Sequence, residues 1–294
     1  MLAPRDLRVP VDGGELHALT WGDTGELIVA IHGISASAVS IQPLADRLAD
    51  RFRLVAPDLR GRGGSAELPG PFGMATHARD VTDLLDALGA DRAIVLGESM
   101  GGYVAVQLAI SHPERVARLV LVDGGLPLPV PEALRADPDA VVAAILGPAL
   151  ARLRMTFASR EAYRAFWKEH PALRDVWNPY LDVYVDADLT GEAPEFRSRV
   201  SEAAVAADGR DQLVNDDLAR LDAITVPVTL IRAGHDLMNG PTPLFGDDVV
   251  AAAKARLPQL VETIEPDLNH YSLMLTDAGA DAVAAALLAG APEA

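Results

Sequence analysis

The hydrophobic pattern of this chain alternates between two kinds of segment. Short apolar runs bounded by turn residues predict strands, and the candidate strands are residues 15–21, 26–32, 52–57, 92–97, 116–122, 226–233 and 260–265. Several runs are apolar throughout, which is typical of parallel strands that helices cover on both faces. Between the runs, apolar residues at helical spacing predict helices at residues 41–50, 75–89, 100–111, 246–256 and 276–289. The alternation predicts an α/β fold with a mostly parallel sheet.

The alternation stops between about residues 124 and 223. This stretch begins with glycines and prolines at residues 124–131 and then has the pattern of several short helices, with no convincing strand. A 28-residue part of this stretch contains half of the 14 aromatic residues of the chain: Phe157, Tyr163, Phe166, Trp167, Trp177, Tyr180 and Tyr184. We interpret residues 124–223 as a helical lid inserted into a core made of residues 1–123 and 224–294. The aromatic side chains either pack the lid or line a pocket for a hydrophobic substrate.

Composition narrows the classes of partner. The 294 residues carry a formal net charge of −17, which would repel nucleic-acid phosphates and anionic lipid surfaces, so we expect a small-molecule substrate, no nucleic acid and no membrane. The chain has no cysteine, which excludes thiol nucleophiles, disulfides and thiolate metal sites. No signal-peptide pattern and no apolar run of about 20 residues occur, so we expect a cytoplasmic protein. The oligomeric state is left open.

The motif Gly97-Glu98-Ser99-Met100-Gly101 places a serine between a buried candidate strand and a candidate helix. Glycines on either side allow a sharp turn, and the N-terminus of the following helix favours developing negative charge. The spacing of such a motif arises often by chance, but its place between strand and helix indicates a nucleophile. We therefore predict that Ser99 is catalytic.

A serine nucleophile needs a base that is held by a third group. His270 follows the last candidate strand and precedes the last helix, so a parallel sheet would bring it to the same edge as Ser99. For the third group, Asp236 after the strand at residues 226–233 is preferred, with Asp123 after the preceding strand as its rival. The carboxylate that is not used would cap a turn or a helix. The other histidines are interpreted as structural, solvated or loop residues: His17, His32, His77, His112, His170 and His235.

At this point the chain resembles the α/β-hydrolase superfamily over nearly its whole length outside the lid. The order nucleophile, acid, histidine of that family is matched by Ser99, Asp236 and His270. The resemblance implies a mostly parallel eight-stranded sheet flanked by helices. It also implies an oxyanion hole made by the backbone N–H groups of Ile34, in a His-Gly loop, and Met100. Residues 58–65 resemble the Asp-x-Arg-Gly-x-Gly-x-Ser turn of the family, whereas Asn269 stands where a glycine commonly precedes the histidine.

These residues predict hydrolysis of a carboxylic ester or lactone through an acyl-serine, with no metal or organic cofactor. Two alternatives stay open: a carbon–carbon bond hydrolase or lyase that uses the same triad, and a ligand-binding protein with little turnover. Substrate identity is not fixed by the sequence. Arg164, Lys168 and His170 either bind a substrate carboxylate or, as we prefer, face water.

Overall fold

The computed structural model describes residues 1–128, 130, 137–214 and 218–289, so the parts of the predicted lid at residues 129, 131–136 and 215–217 lie outside it. Its main sheet has eight strands in the order β1-β2-β4-β3-β5-β6-β9-β10. Their bounds are β1 Arg5–Val11, β2 Gly14–Trp21, β3 Leu27–Ile31, β4 Arg53–Pro57, β5 Ala93–Glu98, β6 Val116–Val122, β9 Val228–His235 and β10 Leu260–Asn269. A two-stranded sheet is formed by β7 Leu189–Thr190 and β8 Arg197–Ser198.

The sheet is parallel except at one edge. Strand β2 is antiparallel to both β1 and β4, and every other pairing in the sheet is parallel. The predicted α/β class with a mostly parallel eight-stranded sheet is confirmed. Because parallel strands point the same way, the residues that follow β5, β6, β9 and β10 meet at one edge, where α/β proteins place their ligands.

Helices cover both faces of the sheet, and others lie in the chain between β6 and β9. The helices of the described residues are α1 Gln42–Leu48, α2 Met74–Ala87, α3 Met100–Ser111, α4 Pro138–Leu153, α5 Arg160–Lys168, α6 Pro179–Ala187, α7 Glu202–Val214, α8 Asp247–Arg256, α9 Ser272–Leu275 and α10 Asp277–Ala289. Helices α2, α3 and α8 pack into one hydrophobic core, and α1 and α10 into another on the opposite face. No helix within the described ranges is long and apolar enough to cross a membrane.

The chain between β6 and β9, which we call the insertion, carries helices α4 to α7. The expectation that it holds no strand is wrong, because β7 and β8 pair through two residues each and Phe157 bridges to Phe196. Two-residue strands are too short to produce an alternating pattern, so the sequence could not reveal them. That the insertion acts as a lid, with the bounds given above, stays a prediction.

The strands differ from the sequence prediction in two ways: β1 was not predicted, and β9 and β10 extend beyond their predicted ends. Strand β1 has no apolar run, because most of its residues are exposed at the sheet edge and Pro10 lies within it, which only an edge strand tolerates. Strand β9 continues to His235 and β10 to Asn269, with an irregularity between Glu265 and Asn269. Both strands are thus longer at their carboxyl ends than the apolar runs that predicted them.

Candidate active site

Ser99 is the single residue between the end of β5 and the start of α3, and it lies in a strained turn. Its φ of 53° and ψ of −122° lie outside the regions that a residue with a side chain prefers. The turn depends on glycine, because a methyl group on Gly97 would lie 2.2 Å from the carbonyl oxygen of Gly101, and one on Gly101 would lie 2.1 Å from that of Ile31. The N–H of Ser99 donates to the carbonyl of Val122 at 3.0 Å, which ties the turn to β6.

His270 pairs with Asp123. Nδ1 of the imidazole lies 2.7 Å from Oδ2 of Asp123, and the aspartate side chain has no exposed surface. The other carboxylate oxygen, Oδ1, accepts the N–H of Ala233 at 3.3 Å, and the backbone N–H of Asp123 donates to Ile231 at 2.8 Å. Strand β6 therefore supplies, one residue beyond its end, a buried carboxylate that fixes the orientation of the imidazole.

The preference for Asp236 as the partner of His270 is wrong in this structure. Oδ1 of Asp236 accepts the N–H groups of Met238 at 2.8 Å and Gly240 at 2.7 Å, so this carboxylate caps its own turn. The reason lies in the register of β6 and β9, which pairs Val122 with Ile231. Because Asp236 lies four residues beyond the position opposite Asp123, it is about 13 Å farther along the strand direction.

The Nε2 side of His270 faces Glu98, the residue before Ser99. Oε1 of Glu98 lies 3.5 Å from Nε2. Among the described residues, no hydrogen bond joins the Ser99 hydroxyl to His270. Because Glu98 is the residue before Ser99 and contacts His270, the ends of β5 and β10 bring Ser99 and His270 close together. The sequence analysis missed Glu98, although a carboxylate at the end of a wholly apolar strand was a sign of a buried charge.

Burial and neighbouring charges shift the pKa of both groups. Burial raises the pKa of Glu98 to about 7, although His270 and a backbone hydrogen bond from Gly33 oppose the shift. Burial would lower the pKa of His270, but the hydrogen bond and charge of Asp123, together with the charge of Glu98, raise it above its usual value of 6.5. The site thus contains one imidazole between two carboxyl groups.

The two predicted oxyanion-hole residues flank Ser99. Met100 is the first residue of α3, and an N–H at this position has no acceptor inside its own helix. The loop that holds Ile34 is also close, because a methyl group on Gly33 would lie 3.2 Å from Cβ of Ser99. The carbonyl oxygen of Ile34 accepts the Nε–H of Arg62 at 2.9 Å, which holds the loop from its other side.

The sequence of the chain matches the model of a known protein family. The model of the alpha/beta hydrolase fold family matches residues 26–274. The chain belongs to that family.

Individual relatives match this α/β-hydrolase over part of their length. An uncharacterised protein of Mycobacterium tuberculosis is 36% identical over 124 residues, which cover 42% of this chain and 36% of the relative. The "Putative carbamate hydrolase RutD" of Caulobacter segnis is 35% identical over 117 residues, or 39% of this chain and 44% of the relative. The matches thus span less than half the length of these curated relatives.

Among solved structures, an E-2-(acetamidomethylene)succinate hydrolase is similar over 97% of this chain and 99% of its own. The TM-score is 0.80 at 22% sequence identity. At this identity the similarity concerns the fold.

The turn at residues 58–65 of this α/β-hydrolase is held to neighbouring elements by a hydrogen bond and two buried ion pairs. Asp58 accepts the N–H of Ala38 at 2.7 Å, and Arg60 forms a buried ion pair with Asp80 at 2.6 Å. Arg62 pairs in the same way with Asp208 of the insertion. These contacts support the interpretation of the motif as structural.

Five of the six remaining histidines hold structural contacts. His17 lies 2.7 Å from Asp58, and His77 lies 3.0 Å from Asp208. His32 accepts the N–H of Leu59 at 3.0 Å, and burial lowers its pKa to about 4, which keeps it neutral. His235 contacts the carbonyl of Gly240 at 3.1 Å, and His170 accepts the N–H of Ala172 at 3.2 Å. His112 is half-exposed near Glu114 at 3.7 Å.

The polar and aromatic residues of the insertion have partners of their own. Arg164 forms ion pairs with Asp186 at 2.6 Å and Asp182 at 3.3 Å, so its charge is engaged within the insertion. The Nζ of Lys168 lies 5.0 Å from the ring centre of Trp177. Four of the seven aromatic residues are buried in a core, which supports the packing interpretation for these: Phe157, Tyr163, Trp167 and Tyr184. Across the described ranges, no cluster of three or more histidine and acidic side chains is arranged to hold a metal ion.

Proposed function

We propose that this α/β-hydrolase is a serine hydrolase that cleaves a carboxylic ester or lactone. Ser99 is the nucleophile, His270 is its base, and Asp123 holds the imidazole in the required tautomer. One observation carries the proposal: a buried 2.7 Å contact between His270 and Asp123 lies at the sheet edge where Ser99 occupies a strained turn. Such a combination of a serine hydroxyl, a base and an orienting carboxylate activates serine in unrelated folds.

In the proposed reaction, Nε2 of His270 removes the hydroxyl proton while Oγ of Ser99 attacks the substrate carbonyl. The N–H groups of Met100 and Ile34 stabilise the oxyanion, and the same proton passes from Nε2 to the departing alkoxide. Water then gives one proton to His270 and adds its hydroxide to the acyl carbon. Collapse of this intermediate returns the proton to Oγ, so that Ser99 is restored and the carboxylic acid is released.

A chain of ring contacts supports an apolar substrate. The ring centre of Trp167 in the insertion lies 6.0 Å from that of His170, which lies 5.2 Å from Tyr271. The Tyr271 ring is in turn 5.8 Å from His270. Trp167 is buried in a core, so the half-buried rings of His170 and Tyr271 are the ones that would contact the acyl or alcohol part of a hydrophobic ester beside the base.

A fluorophosphonate probe tests the nucleophile without knowledge of the substrate. The native protein should be labelled at Ser99, and Ser99→Ala should abolish labelling and lower ester hydrolysis at least about 10⁴-fold. Ser111→Ala is the matched control, because Ser111 is the exposed last residue of α3, the helix that begins directly after Ser99. Labelling of Ser99→Ala at the native rate would refute the proposal.

A substrate panel tests the bond that is cleaved. Short-chain p-nitrophenyl esters and lactones should be hydrolysed, and vinylogous diketones should not. The panel includes carbamates, because one relative that matches over part of its length is named a putative carbamate hydrolase. Cleavage of the diketones alone would instead support carbon–carbon bond hydrolysis by the same three residues.

A further inference from the structure

Glu98 has no part in the reaction described above, yet its carboxyl lies among the reacting groups. Its side chain is 10% exposed, and Oε1 lies 3.5 Å from the one nitrogen of His270 that must accept the serine proton. Gly33, in the loop beside Ser99, packs closely against the same carboxyl, since a methyl group on Gly33 would lie 2.7 Å from Oε2 of Glu98. The carboxyl thus bridges the base and the loop of the oxyanion hole.

We propose that Glu98 is a positioning residue, whose carboxyl holds the imidazole of His270 from the Nε2 side and whose charge sets how readily the imidazole takes up a proton. The inference rests on the proposed role of His270 as the base. Asp123 holds Nδ1 from the opposite side at 2.7 Å. When Glu98 is ionised, the imidazolium that forms during the reaction lies between two negatively charged carboxylates. When Glu98 is protonated, only the carboxylate of Asp123 is charged.

The other groups around the pair leave this role to Glu98. The neutral phenol of Tyr271 packs its ring at 5.8 Å from His270, and the pKa of Tyr271 is raised by burial. Burial also raises the pKa of Tyr184, so that both phenols stay neutral near pH 7. His170 contacts Tyr271 and not His270, and burial lowers its pKa. The charge of Arg152 acts on Tyr271 and is paired with Asp188 at 2.6 Å.

Two groups at this distance titrate as a coupled pair. Burial raises the pKa of Glu98 to about 7, and the charge of Glu98 is one of the causes that raise the pKa of His270, so the proton on one group affects the affinity of the other for a proton. Removing the charge of Glu98 lowers the affinity of His270 for a proton. A neutral glutamine still fills the space beside the imidazole.

The test is an NMR titration of protein labelled at the histidine Cε1 position, in the native chain and in Glu98→Gln. Comparison with His270→Gln assigns the His270 signal. In Glu98→Gln the titration midpoint of His270 should fall by about one pH unit. Glu114→Gln is the matched control, since it removes the same charge beyond the far end of α3, about 18 Å along the helix from Met100, and should leave the midpoint unchanged.

Enzyme kinetics provide a second measurement. The acid limb of kcat/KM for Glu98→Gln should move to lower pH by the same amount, while kcat at alkaline pH should fall about threefold, because a weaker base takes the proton less readily. The two variants should share the native KM. Opposite changes at low and high pH are not expected of a residue that only supports the fold.

A midpoint that falls by less than about half a pH unit in Glu98→Gln, or that rises, overturns the proposal. Should this variant not fold, the native titration curve decides: a second inflection of the His270 signal from Glu98 supports coupling, and a single one-proton curve refutes it. The NMR result does not depend on catalysis. Failure of Ser99 to react with a fluorophosphonate would therefore refute the proposed function and leave the coupling standing.

Discussion

Replacement of Asp123 by asparagine tests the orientation of the base, and the structure specifies how it acts. Oδ1 of Asp123 accepts the N–H of Ala233, so the amide oxygen of an asparagine would stay on that side. The amide NH2 would then face Nδ1 of His270 in place of Oδ2, at 2.7 Å. Because Nδ1 would have to accept from this group, the imidazole proton would move to Nε2. A protonated Nε2 cannot remove the proton of Ser99.

The expected loss in kcat is about 10³- to 10⁴-fold, or about 4 to 5.5 kcal/mol of transition-state stabilisation. Asp123 has no exposed side-chain surface, so water cannot replace the lost acceptor. The assays are the hydrolysis of a p-nitrophenyl ester and the rate constant of fluorophosphonate labelling. Both should fall together, because both depend on the same deprotonation of Ser99.

Asp236→Asn is the matched control, since it makes the same substitution at the aspartate that caps a turn. Its amide oxygen can still accept the N–H groups of Met238 and Gly240, so activity should remain within about threefold of the native value. The reasoning is refuted if Asp123→Asn keeps more than about a tenth of the native activity. It is refuted as well if Asp236→Asn loses more than Asp123→Asn while both proteins show native circular dichroism.

Three further predictions concern pH, the insertion and the nucleophile turn. The rise of kcat/KM with pH should have its midpoint above 6.5, because the pKa of His270 is raised and only the neutral imidazole accepts a proton; a pH–rate profile with a midpoint below 6.5 contradicts this. Asp208→Ala should lower the free energy of unfolding in urea by about 3–5 kcal/mol, since it leaves a buried guanidinium unpaired, whereas Asp222→Ala, which breaks an exposed ion pair, should cost less than about 1 kcal/mol. Burial would raise the pKa of Asp208, but its interactions with His77 and Arg62 lower it, so this stabilisation is present above pH 3.8 and is lost as pH falls through the lowered pKa; equal losses in the two variants would contradict the assignment. Gly101→Ala should lower the melting temperature and abolish labelling of the nucleophile, whereas Gly147→Ala, in open space on α4, should stabilise by about 0.5–1 kcal/mol.

The positions of Ser99 and His270 in the fold could be predicted because their signals are local. Ser99 follows an apolar strand, lies between glycines and precedes a helix, and each of these features is visible within about ten residues of sequence. His270 lies between the last strand and the last helices. The connectivity of a parallel sheet then places both residues at one edge, and no knowledge of side-chain contacts is required.

The carboxylate that pairs with His270 could not be chosen in the same way, because the choice depends on where two neighbouring strands end relative to each other. The apolar run at residues 226–233 ends before the strand does, since β9 continues through Gly234 and His235. Strand continuation here follows from pairing with β10 at Asn269, which is a long-range contact. Both Asp123 and Asp236 follow buried strands, so only the register separates them.

Arg62 links the insertion to the chemistry of the proposed site. Its guanidinium donates to the carbonyls of Ile34 at 2.9 Å and Arg60 at 2.8 Å and also pairs with Asp208 of α7. Because the side chain of Arg62 is wholly buried, its charge is tolerated only while Asp208 is present. The loop that carries one of the two proposed oxyanion donors is therefore held in place by a counter-ion from the insertion. Changes in α7 that displace Asp208 should reach the oxyanion hole through this one side chain, even when they leave Ser99 and His270 untouched.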